Sequence, residues 1–155
     1  MKHPKSYDST PQTRKRMSKV SLKGGTAEMM LAKALWQRGY RYRKNLKKLP
    51  GSPDIAIMKY NIAVFVDGEF WHGKDWGQRK MRLKSNREYW IEKIEENIAR
   101  DIRNDNLLVQ MGWTPIHFWE EDILRDLENC VTTIVELVLD LKASSIDETE
   151  FQLSE

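Results

Sequence analysis

Residues 49–72 read LPGSPDIAIMKYNIAVFVDGEFWH, and the rest of the chain arranges itself around them. Pro53-Asp54 opens a short alternating run (Ile55, Ile57), Lys59-Tyr60-Asn61 turns it, and a second apolar run from Ile62 to Val66 ends on Asp67-Gly68. The pattern predicts a hairpin that carries carboxylates, Asp54 at the mouth of its first strand and Asp67 at the end of its second. Such a pair is suited to share a hard divalent cation such as Mg²⁺. His72 follows within reach. A carboxylate-bound metal beside an imidazole suits phosphodiester hydrolysis: the metal polarises a phosphoryl oxygen, and the histidine takes a proton from the attacking water.

On the N-terminal side, Gly24-Gly25-Thr26 supplies a break and an N-cap, and Ala27, Met30, Leu31, Ala34 and Leu35 recur at helical spacing until Gly39. Glu28 falls in the first turn of that helix. Acidic residues are favoured there by the macrodipole alone, by ~0.3–1 kcal/mol. It gains interest because the helix leads straight into the hairpin and is placed to aim Glu28 at the same metal. Ahead of the helix, residues 1–24 hold two prolines and the cluster Arg14-Lys15-Arg16-Met17-Ser18-Lys19, a basic arm with little to bury. The formal net charge of +3 hides an asymmetry: residues 1–48 carry 14 Lys and Arg against Asp8 and Glu28, and the remainder is net acidic. A polycationic first third attracts a polyanion, and its aromatic and apolar residues (Met17, Trp36, Tyr40, Tyr42) favour a nucleic-acid surface over a merely solvated tail.

On the C-terminal side, residues 74–84 are polar, basic and aperiodic, and read as a surface loop. Residues 87–110 predict a long helix with a buried stripe of Trp90, Ile91, Ile94, Ile98 and Ile102, beside which Lys93, Asn97 and Asp101 line up at spacings of four. Gly112 ends it, and Thr114 to Trp119 reads as a strand, with Pro115 favouring an edge or starting place. A last helix is expected from about Ile123 to Leu141. The order helix, hairpin, helix, strand, helix gives an α/β domain with a mixed sheet flanked by helices. The expected division is a basic arm at 1–24, one domain at 25–142 and an acidic, disordered tail at 143–155.

No run approaches the ~18 apolar residues a membrane span needs, and the basic, polar N-terminus has no apolar signal region, so a cytoplasmic protein is expected. Cys130 is the one cysteine and His3, His72 and His117 are the three histidines. That set allows no internal disulfide and lacks the ligand clusters of structural zinc.

The elements TPQTRKRMSKV (10–20), TAE (26–28), LPGSPD (49–54), FVDGEFWHG (65–73), EYWIEKIEENIARD (88–101) and LLVQMGWTPIHFWE (107–120), in this order and spacing, resemble the very-short-patch-repair DNA mismatch endonucleases. The likeness runs from about residue 10 to 141. It implies the restriction-endonuclease-like fold and Mg²⁺-dependent nicking of one strand of double-stranded DNA beside a T:G mismatch. Position by position, it implies Asp54 as the metal-binding aspartate, the Val66 carbonyl as a second metal ligand, Glu28 as the catalytic-site helix glutamate and His72 as general base. Asp101 matches an aspartate that orients the histidine or a metal-bound water. Phe70 and Trp71 match an aromatic pair that wedges into the base stack, and Met17 an arm residue that inserts from the other side. Arg14, Lys15, Arg16 and Lys19 become phosphate contacts of that arm.

The sequence also departs from the family pattern. Glu69, Lys74, Trp76 and Glu121 stand where family members hold a structural zinc with three cysteines and a histidine, so no zinc site is expected, and an ion pair with a packed indole is expected in its place. Asp67 replaces a family histidine, which adds a carboxylate to the metal set. Residues 74–87 form a different, long loop. A nuclease of the same fold with another target, restriction-type or branched DNA, is the nearest alternative, and a non-catalytic DNA-binding module the next. Four retained residues, Glu28, Asp54, His72 and Asp101, argue against the last, because a binding module has no need of carboxylates facing phosphates. A monomer that works with repair-machinery proteins and associates with the nucleoid completes the expectation.

Overall fold

The computed structural model describes residues 25–153. Its elements in chain order are α1 (Thr26–Gln37), β1 (Arg43–Lys44), β2 (Ile55–Ile57), β3 (Ile62–Asp67), α2 (Trp76–Arg82), α3 (Arg87–Gln110), β4 (Thr114–Trp119), α4 (Glu120–Arg125) and α5 (Leu127–Leu153). The strands form one sheet in the order β1-β2-β3-β4. β1 with β2 and β2 with β3 are antiparallel, and β3 with β4 is parallel. A parallel neighbour cannot be reached through a tight turn, and the chain between β3 and β4 is long enough to hold α2 and α3. The expected hairpin is present: Ile57 faces Ile62 across it, and Asn61 turns the corner with φ 53°.

Side-chain alternation divides the sheet into two faces. Ile55, Ile57, Ile62 and Val64 join Leu31 and Leu35 of α1 and Val131, Ile134 and Val138 of α5 in the main core, with Ile116 and Phe118 of β4 packed against it. The opposite face carries Ala63 and Phe65 with Leu49 and with Leu108 of α3. Burial on both faces explains why β2 has no polar residue at any of its three positions. This is the mixed α/β architecture expected, a four-stranded sheet with helices packed against it, compatible with the restriction-endonuclease-like fold. No helix among the described residues is long and apolar enough to cross a membrane.

Four local expectations change. Gly25, not Thr26, is the N-cap of α1, and no side chain caps it. Residues 76–82, expected as loop, form α2, which turns no fully buried side chain inward and therefore left no hydrophobic period in the sequence. The last helix is broken in two at Asp126, and α5 continues to Leu153, past the end expected near Leu141 and through most of the stretch expected as tail. The fourth concerns the phase of α3. Its buried residues are Trp90, Ile94, Asn97 and Leu108, whereas Ile102 is exposed. Positions 90, 94, 97, 101, 105 and 108 recur every three or four residues, so one stripe runs from apolar ends through a polar middle. That polar middle faces the sheet.

Candidate active site

Asp54 precedes β2 and sits beside the outgoing end of β3. Its Oδ2 accepts the Val66 N–H at 2.7 Å, replacing the ladder bond that β2 no longer supplies. A strand residue directs its N–H and carbonyl to the same edge, so the Val66 carbonyl also lies on the Asp54 side. Burial pushes Asp54 up to about 6; the Val66 hydrogen bond opposes this, the charges of Glu28 and Asp67 add to it, and His72 opposes it. Glu28 reaches the site from the first turn of α1, only 4% exposed, with Lys44 Nζ 3.6 Å from its Oε1. Three carboxylates therefore converge where β2, β3 and α1 meet.

Beyond β3 the chain does not stay extended. His72 N–H bonds to the Gly68 carbonyl at 3.1 Å and Lys74 N–H to the Glu69 carbonyl at 3.0 Å, so residues 68–74 coil into consecutive turns. Gly73 (φ 71°) lets this coil press on α3, for a Cβ at that position would lie 2.5 Å from Ile98 Cδ1. Asn97 donates through Nδ2 to the Trp71 carbonyl at 3.1 Å. His72 Nδ1 then lies 2.6 Å from Asp101 Oδ2. A carboxylate only accepts, so Nδ1 carries the proton and Nε2 is the basic nitrogen. Burial depresses the His72 pKa, but the Asp101 hydrogen bond and the charges of Asp67 and Asp101 outweigh it, and the net shift is upward.

The same face holds a second histidine that the sequence reading did not place. His117 of β4 stacks on Phe65, ring centroids 4.6 Å apart, with Nδ1 2.6 Å from Asp67 Oδ2 and Nε2 2.8 Å from both oxygens of Asp105. Asp67 is 7% exposed, and its Oδ1 is 3.8 Å from His72 Nδ1. Burial alone would lower the His117 pKa, yet hydrogen bonds and charge from Asp67 and Asp105 push it up to about 9, so both ring nitrogens donate at neutral pH. Two sequence signals pointed here. Pro115, His117 and Trp119 alternate with Ile116 and Phe118, which sets His117 on the face away from the main core, and Asp105 stands one turn after Asp101.

Of the expected site residues, the structure brings together Glu28, Asp54, Val66, Asp67, His72 and Asp101. Lys93 is exposed. Phe70 and Trp71 both pack edge-to-face on Trp90, at 5.2 and 5.6 Å, which adjacent residues of an extended strand would not do. The coil of residues 68–74 explains it. Both rings remain partly exposed, and the buried Trp71 Nε1 has no hydrogen-bond partner. Arg14, Lys15, Arg16, Met17 and Lys19 lie outside the described residues.

At the four positions expected to lack zinc ligands, Glu69 Oε1 accepts the Glu121 N–H at 2.6 Å, and Lys74 Nζ lies 3.6 Å from Glu121 Oε2. The expected ion pair is thus Lys74–Glu121, while the Trp76 indole turns away and donates to Glu95. Among the described residues no group of three or more His, Cys, Asp or Glu side chains is placed to hold a metal ion. The oxygen donors at Asp54 are hard and partly open, the kind that binds Mg²⁺ through one or two carboxylates with water and phosphate completing its shell.

The family model for the DNA mismatch endonuclease Vsr matches residues 7–78. The chain is 47% identical over 137 residues, 88% of its own length and 93% of the relative's, to the type II nicking enzyme V.NmeDIP of Neisseria meningitidis serogroup C. It is 48% identical over 121 residues, 77% and 86% of the two lengths, to the type II nicking enzyme V.HpaIIP of Haemophilus parainfluenzae. With the DNA mismatch endonuclease Vsr of Escherichia coli (strain K12) the identity is 32% over 106 residues, 68% of this chain and 67% of that one. The family model covers the hairpin and the histidine coil, the relatives' matches extend over two thirds or more of the chain, and on that ground the chain belongs to the Vsr family of DNA mismatch endonucleases.

Proposed function

We propose that this DNA endonuclease nicks one strand of a duplex beside a T:G mismatch, with Mg²⁺ held at Asp54 and the Val66 carbonyl and with His72 as general base. The observation that carries this reading is the His72–Asp101 contact of 2.6 Å, which fixes the tautomer and leaves Nε2 to take a proton from water. Asp54 fits a hard cation because its charge is crowded by Glu28 and Asp67, and a divalent ion relieves that repulsion. Bound there, Mg²⁺ would polarise the phosphoryl group and stabilise the charge that develops on it. Asp67, with Oδ2 given to His117, turns Oδ1 towards the site and supports both the ion and the His72 imidazolium. Glu28, reached by Lys44, is the catalytic-site glutamate on the α1 side.

Mismatch preference is assigned to Phe70, Trp71 and the arm residue Met17. An apolar wedge must unstack a base step at a cost of a few kcal/mol, and that cost is lower where pairing is already imperfect. Trp71 is suited to leave its pocket, since its indole N–H has no partner there, and a buried donor without one costs about 1–3 kcal/mol. Arg14, Lys15, Arg16 and Lys19 supply contacts to phosphates that carry affinity without reading sequence. The relatives named as nicking enzymes support cleavage of a single strand, and the relative named as a mismatch endonuclease supports a mismatched target; T:G is the mismatch that the family resemblance implies. The test is a panel of matched, T:G and otherwise mismatched duplexes, labelled on each strand in turn, with and without Mg²⁺. A nick in one strand of the T:G duplex, dependent on Mg²⁺, is the expected product. Equal cleavage of matched DNA would overturn the target, and metal-independent cleavage the chemistry.

A further inference from the structure

We propose that His117 is a positioning residue of the active site, clamped between Asp105 and Asp67 so that it fixes the Asp67 carboxylate against the Nδ1 side of His72. The contacts run in one line across the sheet: Asp105 to His117 Nε2 at 2.8 Å, His117 Nδ1 to Asp67 Oδ2 at 2.6 Å, Asp67 Oδ1 to His72 Nδ1 at 3.8 Å, and His72 Nδ1 to Asp101 at 2.6 Å. Stacking on Phe65 sets the plane of the His117 ring, and pairing of Phe65 with His117 across β3 and β4 sets its height. Neither ring nitrogen of His117 is free to touch DNA or water as a base, so its effect reaches the chemistry only through Asp67.

The 3.8 Å separation is the informative one. It is too long for a direct hydrogen bond, so Asp101 alone orients His72, while Asp67 faces the ring as a fixed charge. A carboxylate in that place favours the imidazolium that forms when His72 takes a proton. Without His117, both Asp67 oxygens lose their held geometry. The side chain is then free to rotate onto His72 Nδ1 in competition with Asp101, or towards Asp54. A purely structural role, by contrast, would tie β4 to α3 through Asp105 and leave Asp67 incidental.

Asparagine and glutamine separate these roles, because an asparagine amide stands near the place of Nδ1 and a glutamine amide near that of Nε2. His117→Asn keeps a donor towards Asp67, and His117→Gln keeps one towards Asp105. Single-turnover nicking at saturating duplex and the dissociation constant for the same duplex are measured for both, and again in an Asp67→Asn background. We expect His117→Gln to slow the chemical step roughly tenfold or more, as loss of an outer partner of a site does, with DNA affinity within about twofold. His117→Asn should lose much less, and the Gln effect should vanish in Asp67→Asn. The proposal is overturned if both variants lose rate equally, if the loss persists undiminished in Asp67→Asn, or if only DNA affinity falls. Should His117→Gln not fold, Asp105→Asn takes its place in the cycle, and an undiminished loss in Asp67→Asn again overturns the proposal. The inference rests on His72 as general base, so His72→Ala is run alongside. Wild-type nicking by His72→Ala sinks that assignment, whereas an inactive His72→Ala beside a fully active His117→Gln sinks only the role of His117.

Discussion

Asn97 donates its side-chain amide to the Trp71 carbonyl at 3.1 Å, so a buried residue of α3 grips the backbone one residue before His72. The imidazole is thereby placed by the helix on both sides: its backbone by Asn97 and its ring by Asp101. The coil has little secondary structure to hold it otherwise, and its geometry depends on how closely it approaches α3.

That approach depends on Gly73. A methyl group there meets Ile98 at 2.5 Å and Ile94 at 3.2 Å, and the residue's φ of 71° disfavours any side chain. Gly73→Ala should destabilise the fold by about 1–3 kcal/mol through strain and overpacking. Thermal unfolding reads the loss. Nicking by the folded fraction should fall more than stability does, since His72 moves with the coil, and unchanged activity in a destabilised variant would separate the coil from the site.

Asp54 gives a prediction with a sign. Its folded pKa is raised to about 6, chiefly by burial, above the ordinary aspartate value. The stability linked to this shift is fully present below the unfolded pKa and is lost as pH rises through 6. At neutral pH without divalent ions the charged Asp54 therefore destabilises the fold, by an amount on the order of 2–3 kcal/mol. Asp54→Asn should raise the melting temperature at pH 7.5 and make little difference at pH 4, while abolishing nicking. Added Mg²⁺ should raise the wild-type melting temperature and release a proton near pH 6, and do neither in Asp54→Asn. Calorimetry in buffers of different ionisation enthalpy measures the proton directly.

For His72 the test is the acid limb of the pH–rate profile. A general base must be neutral to act, and its raised pKa places the limb above that of an ordinary histidine. Asp101→Asn removes the partner that favours the protonated ring, so the limb should move to lower pH even as the maximal rate drops roughly 10–100-fold. A limb that stays in place would assign it to another group.

Recognition is tested at Trp71. Its removal should weaken binding to a T:G duplex far more than to a matched one, whereas Arg14→Ala or Lys15→Ala should weaken both and reduce the salt dependence. Binding is compared at fixed salt. Because Trp71 packs on Phe70 and Trp90, melting of Trp71→Ala must be measured beside it. Equal loss on both duplexes would make the ring core rather than wedge.

The hairpin, α1, the extent of α3 and the strand β4 were legible because each is written in local periodicity and turn chemistry. Asp54, Asp67 and His72 followed from their places in that hairpin. What the sequence hid has physical reasons. Isoleucines at 98 and 102 suggested an apolar stripe on α3, yet the buried stripe passes through Asn97 and Asp101, because the sheet face opposite them is polar too. α2 carries Arg79, Lys80 and Arg82 and buries no side chain fully, so it showed no period. The coil after Gly68 is built from one i→i−4 and one i→i−5 bond, which adjacent aromatics do not announce. His117 and Asp105 lie 12 positions apart on different elements and meet Asp67 only once β3 and β4 are in register.

The polar middle of α3 has a consequence for assembly. A helix with a uniformly greasy underside is able to slide along a sheet by a turn at small cost, since one leucine replaces another. α3 has no such freedom: shifted by a turn, Asp101 and Asp105 would lose their histidines and leave half-buried carboxylates without their partners. The carboxylate–imidazole pairs thus act as a vernier for docking, and the docked position is the one in which His72 faces the hairpin's aspartates. Under the mechanism proposed above, a chain caught with the helix out of place would be misfolded and inert at once, and the event that completes the fold would also switch on cleavage.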